Sequence, residues 1–266
     1  MQTYQEQREF FSAQRAALRA ALDTGGAAAA VQFINGFGDE LQRRVLYHFA
    51  KNELIENPEQ ARDFNAYIAV VNAGIAELLR QAVAAADEET RGRRTWGAQV
   101  LSYNLAADLA ECWPGDVTPR SQAQRERGLK AAQDCLSWCT QLGKGPAELS
   151  TALWVQGMHQ LGLGDRAGAV ASWQQSRDYA VQAQQAAGKP TAVGADADWS
   201  VLLTSGYLAL GRLATGDAAG AELYRQATEA LREQLVDAEK KDDAQYCLDQ
   251  LEEVKHRFID AQQAAG

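Results

Sequence analysis

A chain of 266 residues with a formal charge of -9 is long enough to bury a core without disulfides or a metal, and its acidity excludes a basic face built for nucleic acid or anionic membrane. Hydrophobic residues at 46% and charged residues at 23% exclude wholesale disorder. No apolar run approaches the ~20 residues that cross a bilayer, and Cys112, Cys135, Cys139 and Cys247 form no secreted disulfide framework. The expectation is a cytoplasmic protein with reduced thiols, whose N-terminus reads as amphipathic helix rather than secretory signal.

Apolar residues recur at helical spacing almost throughout, and alternating runs of Val, Ile and Thr are nearly absent, so the fold class is all-α. In chain order the pattern predicts helices over 4–22, 27–35, 39–54 and 58–87, then 95–112, 120–142, 146–162 and 166–187, and finally 197–214, 218–237 and 241–263. Within 58–87, Phe64, Ile68, Val71, Ile75 and Leu78 share one face, which predicts a single core stripe. The basic cluster Arg91, Arg93 and Arg94 reads as the solvated start of the next helix. Short connections between so many helices predict stacked antiparallel pairs.

Internal repetition supports that arrangement. GDRAGA at Gly164 to Ala169 returns as GDAAGA at Gly216 to Ala221, and each copy precedes an amphipathic helix. Val170, Trp173, Ala180 and Val181 share a face in the first, and Ala221, Tyr224, Thr228, Leu231 and Leu235 in the second.

Gly162, Gly164 and Gly168 could belong to a phosphate-cradling loop, but G-x-G-x-x-x-G has the wrong spacing for a dinucleotide fingerprint and follows a helical segment where a strand is required. No Gly-Lys-Ser or Gly-Lys-Thr follows, so a P-loop fails too. A turn explains each residue: Gly164 ends one helix in the left-handed region, Asp165 caps the next, and Gly168 and Ala169 let the two approach.

The middle copy resembles the tetratricopeptide repeat family. Gly157, the Gly164-Asp165 turn, Ala169, Trp173 and Ser176 fall at the family's small, turn, small, aromatic and small positions. In the later copy Tyr224 and Ala227 arrive one residue early, and Gly206 is off the signature place. Trp96 and Tyr103, followed by Ala132, Leu136 and Cys139, mark a weaker earlier copy in which CWPGDVTPRSQ replaces the compact turn. Ala132, Ala169 and Ala221 are 37 and 52 residues apart, against a family norm of about 34, and the segment 186–198 accounts for the longer step.

The resemblance spans about residues 94–240, which divides the chain into an N-terminal helical region, 1–90, and a repeat region, 91–266, closed by a capping helix over 241–263. It implies an α-solenoid that binds a protein or peptide in its concave groove. The groove positions it implies are Arg94, Leu101 and Asn104 in the first copy and Trp154, Met158 and Leu161 in the second. Trp154 and Met158 replace the Lys and Asn of the family's carboxylate-gripping arrangement.

Chemistry is weakly signalled elsewhere. Cys135 and Cys139 are one turn apart, yet they lie on an apolar stripe with Ala132 and Leu142 and without a neighbouring His, which predicts packing instead of metal ligation. Glu253 and His256 have di-iron spacing in a single copy, and His256 falls opposite the stripe Cys247, Leu251, Val254 and Phe258. Neither His48 nor His159 sits in a nucleophile or zinc motif. The expectation is therefore no catalytic, cofactor or metal residue. The rivals are an all-helical enzyme assembled from distant segments and a structural protein that buries the groove in its own homodimer.

Overall fold

The structure is a computed structural model and describes residues 1, 3–57 and 61–261. It is all-α: among the described residues no strand occurs, and no helix is long and apolar enough to cross a membrane. The helices are α1 (Tyr4–Asn35), α2 (Glu40–Phe49), α3 (Lys51–Leu54), α4 (Phe64–Ala84), α5 (Glu88–Leu109) and α6 (Gln122–Gln141). They continue as α7 (Pro146–Gly162), α8 (Arg166–Ala186), α9 (Trp199–Ala214), α10 (Ala219–Gln234) and α11 (Lys241–Lys255), which runs into a π turn (His256–Asp260). Residues 58–60 and 262–263, at the ends of two expected helices, lie outside the described residues.

The chain forms two compact units, residues 1–105 and 106–266, so the division falls inside α5 where the sequence placed it before that helix. The first half of α5 packs on α4: a Cβ on Gly97 would lie 3.0 Å from Leu78, and one on Gly74 3.1 Å from Leu101.

In the first unit, α1 starts on a capping box between Thr3 and Glu6. The two helices expected up to residue 35 are the two arms of α1, which meet at Gly25 and Gly26, where the backbone leaves helical geometry, Gly26 with φ 63°. Asp63 caps α4 through the Ala66 amide at 2.9 Å, which fixes its start later than the apolar pattern suggests. The buried stripe of α4 also differs from the expected one. It runs through Phe64, Tyr67, Val71, Gly74 and Leu78, and Ile68 and Ile75 are only half-buried. Gly74 sets this rotation, because a Cβ there would lie 2.8 Å from the Tyr47 side chain, so α4 approaches α2 along its glycine.

Carboxylates clamp the same helices. Glu53, 3% exposed, accepts from Arg15 Nε at 2.5 Å and Arg19 Nε at 2.6 Å, joining α3 to α1. Glu77 on α4 accepts from Arg43 on α2 at 2.7 Å and from Arg80 at 2.8 Å. Bonds from Arg80, working against burial and joined by Gln81 and Arg43, hold the Glu77 carboxyl down at about 2.

The second unit is built on close approaches at small residues. A Cβ on Gly128 of α6 would lie 2.1 Å from the His159 ring of α7. A Cβ on Gly157 of α7 would lie 2.4 Å from Trp173 Nε1 of α8, and one on Gly211 of α9 2.9 Å from Trp173 Cε3. Gly220 of α10 meets the Ala209 carbonyl of α9, and Gly206 of α9 meets Leu251 of α11. From α6 to α10 each helix therefore packs on the next at van der Waals distance, and α11 packs on α9, because side chains are missing there. Between α7 and α8 the backbones come close enough for Ser150 and Ser176 to exchange hydrogen bonds to each other's carbonyls, at 2.7 and 2.8 Å.

The two GDxAGA copies turn corners. Gly164 and Gly216 take φ 84° and 77°, and the following aspartates accept from Gly168 N at 2.9 Å and Ala219 N at 3.0 Å. Their geometry differs by one residue. The buried small residue that opens the second helix is Ala169 in the first copy and Gly220, not Ala221, in the second. Counted from there, Tyr224 and Ala227 fall where Trp173 and Ser176 fall, and the irregular spacing of the sequence is a turn shortened by one residue.

Candidate binding surface

The groove residues expected from the sequence divide between the two units. In the first, Leu101 is buried at 4% exposure against Gly74, and Arg94 and Asn104 are half-buried. Arg91 and Arg93 at the exposed start of α5 pair with Glu88 and Glu89, as a solvated helix start would.

In the second unit Trp154, Met158 and Leu161 lie side by side on α7, exposed by only 7%, 2% and 3%. Trp154 belongs to a row of rings: Tyr246 against Trp113 at 6.3 Å, Trp113 against Trp154 at 6.2 Å, Trp154 against Tyr207 at 5.8 Å, and Tyr207 against Trp173 at 5.4 Å. Trp173 is wholly buried and donates its indole N–H to the Trp154 carbonyl at 3.0 Å. The indole N–H of Trp154 makes no hydrogen bond of good geometry and faces the Tyr207 hydroxyl. Only the far end of the row reaches solvent, with Trp113 half-buried and Tyr246 46% exposed.

The place expected for a guest at Trp154 is thus filled by the chain itself. The stripe Cys247, Leu251, Val254 and Phe258 is buried, with Leu251 seated at Gly206, and His256 is exposed on the opposite side. The Tyr207 hydroxyl donates to Gln250 Oε1 of α11 at 3.0 Å inside the core. Arg257, in the π turn, donates to the Asp116 carbonyl at 2.5 Å and lies 3.7 Å from Glu111.

The segment that replaces a compact turn, 110–121, is itself a folded element. Glu111 is 5% exposed, pairs with Arg125 at 2.6 Å and accepts the Arg120 amide at 3.2 Å. Arg120, with no exposed side-chain surface, meets Asp116 at 2.5 Å, and Trp113 donates to the Ala107 carbonyl at 2.7 Å. The loop before α9 is pinned likewise: Gln234 donates to the carbonyls of Ala195 and Ala197 at 2.8 and 2.7 Å. Sequence reading missed both, because the bonds of 110–121 follow no helical spacing, Gln234 reaches back 37 and 39 residues, and Arg257 reaches 141 residues back to Asp116.

Burial sets the titration of the groups beside the row of rings. Burial pushes the Cys112 thiol up to about 12, and raises Tyr207 well above its ordinary value. Burial also lowers His159 to about 4, leaving a neutral ring with Nε2 at 2.8 Å from the Ala106 carbonyl. Cys135 and Cys139 are buried and in no disulfide; the Cys135 hydrogen bond lowers the Cys139 pKa. Among the described residues no group of three or more His, Cys, Asp or Glu is placed to hold a metal ion.

Comparison with protein-family models finds no match for this chain, and comparison with curated proteins finds none either.

Proposed function

We propose that the chain is a non-catalytic binding scaffold, a tetratricopeptide-like α-solenoid that holds a protein or peptide partner in the cytoplasm. The observation that carries this reading is the row of rings on the second unit, which begins in the core at Trp173 and emerges at Trp113 and Tyr246. Large aromatic side chains that are anchored at one end and wet at the other are the groups that dominate protein interfaces. The sequence places the anchor at Trp154; its burial moves the accessible part of the site to Tyr246 and Trp113, with Trp154 as their support. Helix pairs meeting at glycine and serine seams give that support a rigid base, because a jigsaw packed to this closeness has little room to shift.

Affinity capture from the native cytoplasm, with wild type and Tyr246→Ala, tests the reading. The expected result is a captured protein whose yield falls about tenfold in the variant, the loss of one hot-spot contact, while circular dichroism stays unchanged. Equal capture by both proteins would overturn it, and capture of a second copy of the chain would assign the surface to self-association.

A further inference from the structure

The first unit holds a cleft of ≈ 320 Å³ that the hairpins do not involve. Along one wall, Arg8, Phe11, Ser12 and Arg15 share a face of α1 at helical spacing; Phe49 and Asn52 stand opposite. The floor is apolar, because Phe11 and Phe49 are buried with their rings 5.6 Å apart.

The polar groups above this floor are arranged unevenly. Arg15 is held by its Nε on the buried Glu53 at 2.5 Å, while its side chain remains 47% exposed and open to a ligand. Asn57 donates to the same Glu53 at 3.2 Å and stiffens the anchor. Glu56, the carboxylate that lines the cleft, is engaged by Lys51 at 2.8 Å. Arg19, the second partner of Glu53, is answered by Asp23 at 3.5 Å. Arg8 pairs with no described carboxylate. Among the described residues that line the cleft, Arg8 and Arg15 stand against Glu56 alone, a surplus of one positive charge in a chain whose total is -9.

We propose that this cleft binds a small monocarboxylate with an apolar body. The guanidinium forks of Arg8 and Arg15 match a carboxylate's two oxygens, the Ser12 hydroxyl and Asn52 amide supply further donors, and the ring floor takes the apolar part. One surplus charge is neutralised by a monoanion, whereas a phosphate dianion would leave negative charge beside Glu53 and Glu56. The site is independent of the aromatic row on the second unit.

The test is an NMR titration of the full chain with 4-phenylbutyrate, its uncharged amide analogue and inorganic phosphate. The carboxylate is expected to shift the Ser12 and Asn52 resonances saturably in the millimolar range, as a ligand of this size allows. The amide is expected to bind about tenfold more weakly, and Arg8→Gln to weaken the carboxylate by about the same factor. Arg8 is exposed and meets no described carboxylate, so its replacement leaves the fold intact; Arg15→Lys, which keeps the charge but loses the fork, should fall between wild type and Arg8→Gln. Equal affinity for acid and amide, an unchanged Arg8→Gln, shifts confined to other residues, the lack of any saturable shift, or tighter binding of phosphate would each overturn the proposal.

Discussion

The two units are made of the same secondary structure and are held together by different means. In residues 1–105 long arginines reach across helix crossings to buried or half-buried carboxylates, with Glu53 and Glu77 each serving two. Residues 106–266 also hold buried ion pairs, at Glu111 and Asp116, but there glycine approaches recur along the unit, at Gly128, Gly157, Gly206, Gly211 and Gly220, where the first unit has Gly74 and Gly97. Charge clamps tolerate some looseness, because an arginine fork can follow a shifting partner. Glycine seams do not, since the opposing atoms already stand at contact distance.

Substitutions should separate the two regimes. The largest effect is expected at the α7–α8 seam, where Gly157→Val puts carbon into the Trp173 indole and should cost about 3 kcal/mol or more in urea unfolding. A loss below about 1 kcal/mol there would mean that the seam relaxes and is no jigsaw contact.

Next comes acid. His159 is buried neutral with its pKa lowered from 6.5 to about 4, so between these values the unfolded chain binds a proton that the folded one refuses. Its contribution is intact above pH 6.5 and is lost as pH falls toward 4, on the order of 3 kcal/mol for a fully buried ring. Urea midpoints from pH 7.5 to 4.5 should therefore fall more steeply for wild type than for His159→Gln; parallel curves would remove His159 from the account.

In the first unit Glu53→Gln should cost about 2 kcal/mol, less than a fully buried pair because Arg15 and Arg19 keep access to water. Smallest, and of opposite sign, is Gly92→Ala on α5. A Cβ there meets nothing within 4 Å, so the gain in helix propensity should stabilise by about 0.5–1 kcal/mol. Thermal melts of Gly92→Ala and Gly157→Val would thus move in opposite directions.

These contrasts also mark what the sequence could reveal. Helix class, the order of elements and the corners at Gly164 and Gly216 were readable, because periodicity and capping are local. The facing of α11 was readable for the same reason, with His256 outward and Cys247 and Leu251 inward. The rotation of α4 was not, since it depends on Gly74 meeting Tyr47 across a crossing. The one-residue shift between Ala221 and Gly220 was hidden likewise, because the carbonyl that demands a glycine belongs to another helix. The burial of Trp154 followed from Trp113 and Tyr207, partners that no spacing within α7 announces.

The surface itself is best questioned by light. A photo-cross-linking residue placed at Tyr246 in the full chain, and in parallel at Arg225 on the exposed side of α10, reports what each site touches in the living cell. The account predicts one dominant adduct at 246 that is missing at 225. Adducts of equal yield at both positions, or at neither, would contradict it.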